Sequence, residues 1–331
     1  MNRILISRTD SIGDVMLTLP MCVWLKDQFI DAELIYLGRA YTRTIIECFS
    51  VIDRFVDWEQ VSALPTTERT VFLGELKADA IIHVFPNREI ASLAKKVKIP
   101  LRVGTSHRSF HLLTCNHRVG FSRKNSDLHE AQLNFELLRP FGLKKIPSLT
   151  ELLDSLNAFR VKQVDLPAEL EALLLKNEKT VVLHPKSQGS AVEWSLTSYM
   201  SLAEKLTQKG FSVFFTGTTE EGATFRSSLP DNPLIHDLTG KLTLHQLILF
   251  ISRCRNLVAC STGPLHIAGF CGLRTIGLFS PKRPIHPGRW AALGRNVHIL
   301  TYDNQCQNCK KKKQCLCIQN ISVDRVLNEI V

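Results

Sequence analysis

The sequence predicts an α/β protein of two Rossmann-like domains, and three observations carry that expectation. At 331 residues the chain is too long for one ordinary core. Its first stretch, 3–37, reads strand, Gly-containing loop, apolar helix, strand, the signature of a right-handed βαβ unit. The same alternation restarts at Thr180 and recurs around Asn256–Ser280.

Arg3–Ser7 is a short apolar strand, and Arg8-Thr-Asp-Ser-Ile-Gly-Asp14 is the loop after it. A mostly apolar helix is expected from about Val15 to Phe29, kinked by Pro20, before a second strand over Glu33–Leu37. The dinucleotide fingerprint Gly-x-Gly-x-x-Gly is absent, which argues against a nicotinamide enzyme. In open α/β sheets the loop after the first strand lies at the ligand-facing edge. Asp14 falls at a helix start, where a carboxylate is electrostatically favoured, either as a cap or as a working group. Strands are expected at Val51–Val56, Ala80–Phe85 and Pro100–Thr105, with a helix over Ile90–Lys98. Between Arg102 and His129 the chain is basic, with Arg102, His107, Arg108, His111, His117, Arg118, Arg123, Lys124 and His129 against Asp127 alone. It reads as a loop, either solvated or holding phosphate or carboxylate groups. His129–Leu138 is an amphipathic helix closed by Pro140 and Gly142.

Composition shifts at about 145–178, where Pro147 and Pro167 flank polar sequence with one helical piece, Leu166–Lys176. The second half then gives a strand with the loop His184-Pro-Lys-Ser187, a helix over Leu196–Lys209, a strand over Phe211–Thr216 and the loop Gly217-Thr-Thr-Glu-Glu221. Ile235–Leu238 and a helix over Leu244–Arg253 lead to Asn256–Ser280. There a short apolar strand meets Ser261-Thr-Gly-Pro264, a helix follows, and Gly272 stops it. Small residues opening onto a helix N-terminus suit a diphosphate, because free N–H groups and the positive dipole end point at it. The expected domains are 1–157, a linker at 158–178, a second domain at 179–318, and a terminal helix at 319–331.

An apolar fraction of 44% with 22% charged residues fits a soluble globular protein. No apolar run approaches the ~18 residues of a membrane span, and the N-terminal apolar stretch has the wrong flanks for a signal peptide. A cytoplasmic location is expected. A formal net charge of +10 favours an anionic partner. No zinc finger, RNA-recognition signature or basic-aromatic repeat is visible, so nucleic acid is not expected. Of ten cysteines, Cys306, Cys309, Cys315 and Cys317 cluster around a lysine run, Lys310–Lys313. Four thiols so close could hold a structural zinc, or serve as free structural thiols; disulfides are disfavoured in a reducing compartment.

Five pieces, in order, carry a resemblance. They are Ser11-Ile-Gly-Asp-Val-Met-Leu-Thr-Leu-Pro20, His184-Pro-Lys-Ser with Trp194 after it, Gly217-Thr-Thr-Glu-Glu221, Leu238-Thr-Gly-Lys-Leu-Thr-Leu244 and Ser261-Thr-Gly-Pro-Leu-His-Ile-Ala268. Together they cover nearly the whole chain, which resembles the ADP-heptose:lipopolysaccharide heptosyltransferases, glycosyltransferase family nine. The resemblance implies the GT-B fold, two Rossmann-like domains facing a central cleft, with acceptor on the first domain and nucleotide-sugar on the second. It implies Asp14 as general base and Arg8, with Ser11 and Gly13 of the same motif, near the acceptor, and a last helix that crosses back to the first domain; the unbalanced charge of the basic section, in the domain that carries Asp14, places Arg108, Arg118 and His129 there too. For the donor it implies His184, Lys186 as leaving-group cation, Ser187, Thr218, Glu220 or Glu221 on the ribose, Lys241, and Leu242 on the base. Ser261, Thr262, Gly263, Pro264 and His266 would cradle the diphosphate.

Two positions depart from the family pattern. Ser261 stands where many members have Asp, and Val192 where many have Lys or Arg. Family members often carry C-terminal cysteines with no catalytic role. The function implied is inverting, metal-independent heptose transfer from ADP-heptose to an anionic lipid A-type acceptor, with no cofactor, at the inner face of the cytoplasmic membrane. An epimerase of the same architecture and a non-catalytic glycan- or nucleotide-binding relative are the alternatives.

Overall fold

A computed structural model of the chain describes residues 1–123, 126–311 and 315–331. Lys124 of the basic section and Lys312 and Lys313 of the lysine run lie outside the described residues. The chain divides into two units, Met1–Arg160 and Val161–Val331.

The first unit holds six parallel strands: β1 (Arg3–Ser7), β2 (Glu33–Gly38), β3 (Arg54–Asp57), β4 (Ala80–His83), β5 (Leu101–Thr105) and β6 (His117–Val119). Their order is β3-β2-β1-β4-β5-β6. Ser7 lies level with Leu37 on one side and His83 on the other, so the loops after β1 and β4 leave the same sheet edge. The second unit repeats the plan with β7 (Thr180–His184), β8 (Ser212–Phe215), β9 (Ile235–Asp237), β10 (Asn256–Ala259), β11 (Arg274–Leu278) and β12 (Val297–Leu300). Here the order is β12-β11-β10-β7-β8-β9. Counted from its own first strand, each sheet reads 3-2-1-4-5-6, the doubly wound order. Unbroken apolar runs such as Ile4–Ile6 and Val181–Leu183 are fully buried, as strands covered on both faces require.

Several expectations change. Pro20 does not kink one helix; it sits at the second position of a new one, Leu19–Gln28, after a separate short helix, Ile12–Met16. A proline in a first turn costs no intrahelical bond. Over 102–119 the basic section is not a loop but β5, a helix over Ser109–Thr114 and the edge strand β6, while the described residues 120–123 and 126–129 carry neither helix nor strand. Helices Trp58–Ala63 and Thr66–Glu75, and strand β12, have no counterpart in the sequence reading. The stretch 158–178 carries the helix Ala168–Lys176, and Leu170 on it is buried. The terminal helix, Val323–Leu327, packs within the second unit, where Val326 and Leu327 join the core around Trp194, Tyr199 and Leu202. Asn256 Nδ2 donates to the Val331 carbonyl at 2.9 Å and seals that end. Among the described residues no helix is long and apolar enough to cross a membrane.

The helix Gly263–Cys271 approaches its neighbours through glycine. A Cβ at Gly269 would lie 2.5 Å from the Leu293 carbonyl oxygen and 3.0 Å from the Ala292 Cβ. Alanine at 269 would gain up to ~1 kcal/mol in helix propensity but meet backbone that cannot step aside. Gly269→Ala is therefore expected to destabilise by about 1–2 kcal/mol in denaturant unfolding. A stabilised variant would mean that this helix is free to shift.

Candidate active site

In the first unit the loop after β1 is organised by a buried cation. Arg8 leaves the sheet edge with its side chain only 3% exposed, so its charge needs partners inside the protein. Nε donates to Asp10 Oδ1 at 2.8 Å, and Nη2 reaches Asp10 Oδ2 at 3.1 Å. Nη2 also donates to Asp14 Oδ1 at 2.6 Å and Glu130 Oε1 at 3.3 Å, while Nη1 holds Thr18 and Asn134. Arg123 adds a second guanidinium on Glu130 and Asn134, at 3.1 and 3.0 Å. Two guanidiniums thus face three carboxylates.

The two carboxylates of the loop titrate apart. Burial pushes Asp10 up to about 6, opposed by the Arg8 charge and helped by the charge of Asp14. Burial also works on Asp14, but Arg8 and a 2.5 Å hydrogen bond from Ser11 Oγ outweigh it and hold that carboxyl below its ordinary value. Both side chains remain about one-fifth exposed, so the pair is partly buried yet reachable.

Two residues expected near the acceptor are bonded within the protein. The guanidinium fork of Arg8 is engaged by Asp10, Asp14, Thr18, Glu130 and Asn134. His129 is buried at the start of the helix Glu130–Glu136, where its Nδ1 accepts from the Ala131 N–H and its own N–H bonds Gln132, a capping box. Arg108 is exposed at the start of Ser109–Thr114, and Arg118 is exposed on β6 with Nη1 3.1 Å from the Cys115 carbonyl. Gly13 lies in the same short helix as Asp14.

In the second unit β7 and β10 flank the switch point, with His184 level with Ala259. Their loops touch: Ser190 Oγ donates to the Ser261 carbonyl at 3.3 Å and the Trp194 N–H to Cys260 Sγ at 3.4 Å. Lys186 Nζ lies 2.7 Å from Glu193 Oε2, and the other oxygen of Glu193 accepts from the N–H and Oγ of Ser187, both at 2.8 Å. His184 is buried, bonded to Thr216 Oγ1 at 3.0 Å, and kept neutral by burial with a pKa of about 4. The Thr262 side chain turns back to the Cys260 carbonyl instead of capping the helix that follows. Pro264 takes that helix's first turn and His266 is buried in it.

The neighbouring loops, after β8 and β9, come together through the Gly240 N–H on the Gly217 carbonyl at 2.9 Å. The first of them carries Thr218 and Glu220, the second Lys241 and Leu242. Gly240 needs its positive φ of 72°, and a Cβ there would strike Thr219. Of the two glutamates expected at the ribose, Glu221 is engaged locally. Its carboxylate accepts from the Thr218 N–H at 2.8 Å in a capping box and is buried, whereas Glu220 is exposed in the same turn. Val192 packs against the core, so the cation of this loop is Lys186. Asp10, Glu130, Asn134 and Glu193 were missed. Asp10 and Glu193 stand beside residues that the motifs pick out. Glu130 and Asn134 reach Arg8 from across the fold with no local signal.

A doubly wound sheet with carboxylates at its switch point, and a second with an uncapped helix start beside a lysine, suit group transfer from nucleotide-activated substrates. The chain belongs to glycosyltransferase family 9 (heptosyltransferase), whose family model matches residues 72–318. It is 29% identical to a Haemophilus influenzae protein named as a candidate glycosyltransferase, over 100% of this chain and 96% of that one. Lipooligosaccharide heptosyltransferase 2 of Campylobacter jejuni shares 25% identity, with 78% of this chain and 88% of that protein covered. The fold matches that of Escherichia coli ADP-heptose lipopolysaccharide heptosyltransferase II with a TM-score of 0.73 at 15% identity, over 99% and 97% of the two chains. A family 9 glycosyltransferase of Veillonella parvula matches with a TM-score of 0.76 at 20% identity, over 99% and 96%.

Replacing Arg8 with Met should cost about 3–5 kcal/mol of unfolding free energy, because buried carboxylates lose their counter-charge. The deficit should shrink as pH falls from about 8 to about 5. Without Arg8 the folded carboxylates titrate above their unfolded values, so proton uptake favours the folded state. Equal deficits at both pH values in denaturant unfolding would assign Arg8 a packing role only.

Proposed function

We propose that the protein transfers heptose from ADP-heptose to a lipopolysaccharide core precursor, with inversion. The match to the heptosyltransferase family model over residues 72–318 carries the reading. In this reading Asp14 takes the proton of an acceptor hydroxyl as that oxygen attacks the anomeric carbon. The bond from that carbon to the diphosphate oxygen breaks, and ADP leaves with the electron pair. Arg8 positions both carboxylates, and Asp10, with its pKa near neutrality, shares the proton load. Lys186 exchanges Glu193 for the diphosphate, joined by the N–H groups that start the helix Gly263–Cys271, so leaving-group charge is met without a metal. Ser261, Thr262 and Gly263 line that cradle. Glu220 binds the ribose and Leu242 packs on the base.

The acceptor side is basic. Arg108, His117 and Arg118 are exposed, and Leu112 and Leu113, 56% and 75% exposed, project from the intervening helix. Cations around bare leucines suit the phosphates and acyl chains of a lipid A-type acceptor at a membrane surface. The epimerase alternative would need further acid–base groups at the sugar. Among the described residues His184 and His266 are buried and Glu221 caps a helix, which disfavours that alternative.

Asp14→Asn is expected to cut turnover by roughly 10²–10⁴-fold while ADP binding, measured calorimetrically without magnesium, is retained. In the wild type kcat/KM should fall as pH drops through about 6, where Asp10 takes up a proton, and Asp10→Asn should move that limb. A fully active Asp14→Asn enzyme, or a strict need for magnesium, would sink the assignment.

Replacing Arg108 and Arg118 together with Ala should raise the acceptor KM by about tenfold or more and lower binding to anionic vesicles, leaving ADP affinity unchanged. Unaltered acceptor kinetics would reduce this face to solvated surface.

A further inference from the structure

The four C-terminal cysteines have no part in the chemistry above, yet the fold gathers them. The Sγ atoms of Cys306, Cys309, Cys315 and Cys317 all lie within 4.8 Å of one another. Cys315 Sγ is 3.4 Å from Cys306 Sγ and 3.2 Å from Cys317 Sγ. A disulfide would need about 2.05 Å, and it would join sulfurs in pairs instead of gathering four. A metal with thiolates at about 2.3 Å in tetrahedral array has sulfur–sulfur edges of about 3.8 Å. The observed spread brackets that value.

We propose that Cys306, Cys309, Cys315 and Cys317 form a closed tetrathiolate site for one thiophilic divalent cation, zinc in the first instance. Four protein ligands leave no open position, so the site is structural and takes no part in sugar transfer. Its surroundings fit that role. Cys309 and Cys317 are buried, and Ser280 Oγ, just past β11, lies 3.5 Å from Cys309 Sγ. An open surface pocket of about 550 Å³, lined in part by Tyr302, Asp303, Cys306 and Cys315, gives an ion a way in. Leu316, between two of the thiols, is 64% exposed, so apolar burial alone does little to hold this turn.

The residues that follow connect the cluster to the donor loop. Gln319 Nε2 donates to the Glu193 carbonyl at 2.9 Å, and Trp194 Nε1 donates to the Ile321 carbonyl at 3.0 Å. Glu193 in turn holds Lys186 and Ser187. An ion that locks the cysteine turn therefore steadies the backbone on which the Lys186 loop rests. Metal binding itself is independent of the functional reading; only the expected effect on ADP rests on it.

The full-length protein, purified under reducing conditions without chelator or a metal-affinity column, is expected to contain about one equivalent of zinc or iron by elemental mass spectrometry. Such an ion exchanges slowly with EDTA, so a mercurial thiol reagent is used to release it, followed by a thiol to regenerate the cysteines. Cobalt(II) added back should saturate at one equivalent, with thiolate-to-cobalt charge transfer and the intense visible bands of a tetrahedral centre. Cys306→Ser and Cys315→Ser, at the less buried positions, should lose that spectrum, while Cys271→Ser, outside the cluster, keeps it. Absence of metal together with no saturable cobalt spectrum overturns the site, as does a full spectrum in Cys306→Ser. Disulfides among these four residues in protein alkylated before reduction would overturn it too. In metal-depleted protein the Kd for ADP should rise several-fold and recover with zinc. A bound metal with unchanged ADP affinity on its removal overturns the support of the donor loop while leaving the site standing.

Discussion

The first unit depends on the burial of Arg8. A guanidinium withdrawn from water costs several kcal/mol unless its donors are met, and a single carboxylate would not meet them. The loop after β1 folds back to supply Asp10 and Asp14, the helix Ile12–Met16 and its continuation present Thr18, and Glu130–Glu136 brings Glu130 and Asn134 from far along the chain. The same bonds that stabilise the cation aim the carboxylates. The elevated Asp10 pKa comes first from burial, with the charge of Asp14 adding to it, the two together outweighing the pull of Arg8.

The second unit solves a different problem with the same sheet. Its switch point carries no buried arginine. It presents the start of Gly263–Cys271 without a side-chain cap, and a lysine occupied by Glu193. A helix start without a side-chain cap, beside a lysine held by a carboxylate, is the arrangement that the proposed reading uses for the diphosphate. Two copies of one topology carry different switch-point groups; in the proposed reading the first accepts the proton and the second meets the leaving group.

Legibility in the sequence followed locality. Strands buried on both faces show as apolar runs, so Arg3–Ser7 and Thr180–His184 were plain. The helix Leu244–Arg253 was read with its observed ends, because Thr243 and Gln246 form a capping box within four residues. The helices over 58–75 were missed because their apolar face is weak; Leu73 is the buried residue of Thr66–Glu75. The basic section looked like a loop because β6 is a three-residue edge strand with exposed His117 and Arg118. Such a strand carries almost no apolar signal of its own.

The sequence by itself determined the fold class, the family and the positions of the motif loops, because these rest on periodicity, turn residues and short contiguous motifs. Tertiary structure decided which members of those loops are free to act. Arg8, Glu221 and His129 have the chemistry of ligands, but each is claimed by the fold: one by a buried ion network, two by helix starts. Asp10 and Glu193 gained importance for the converse reason, since burial and partners set their charge state and geometry. Residue type states what a side chain can do. Whether it is available depends on desolvation and on neighbours more than a hundred positions away, as with Arg8 and Asn134.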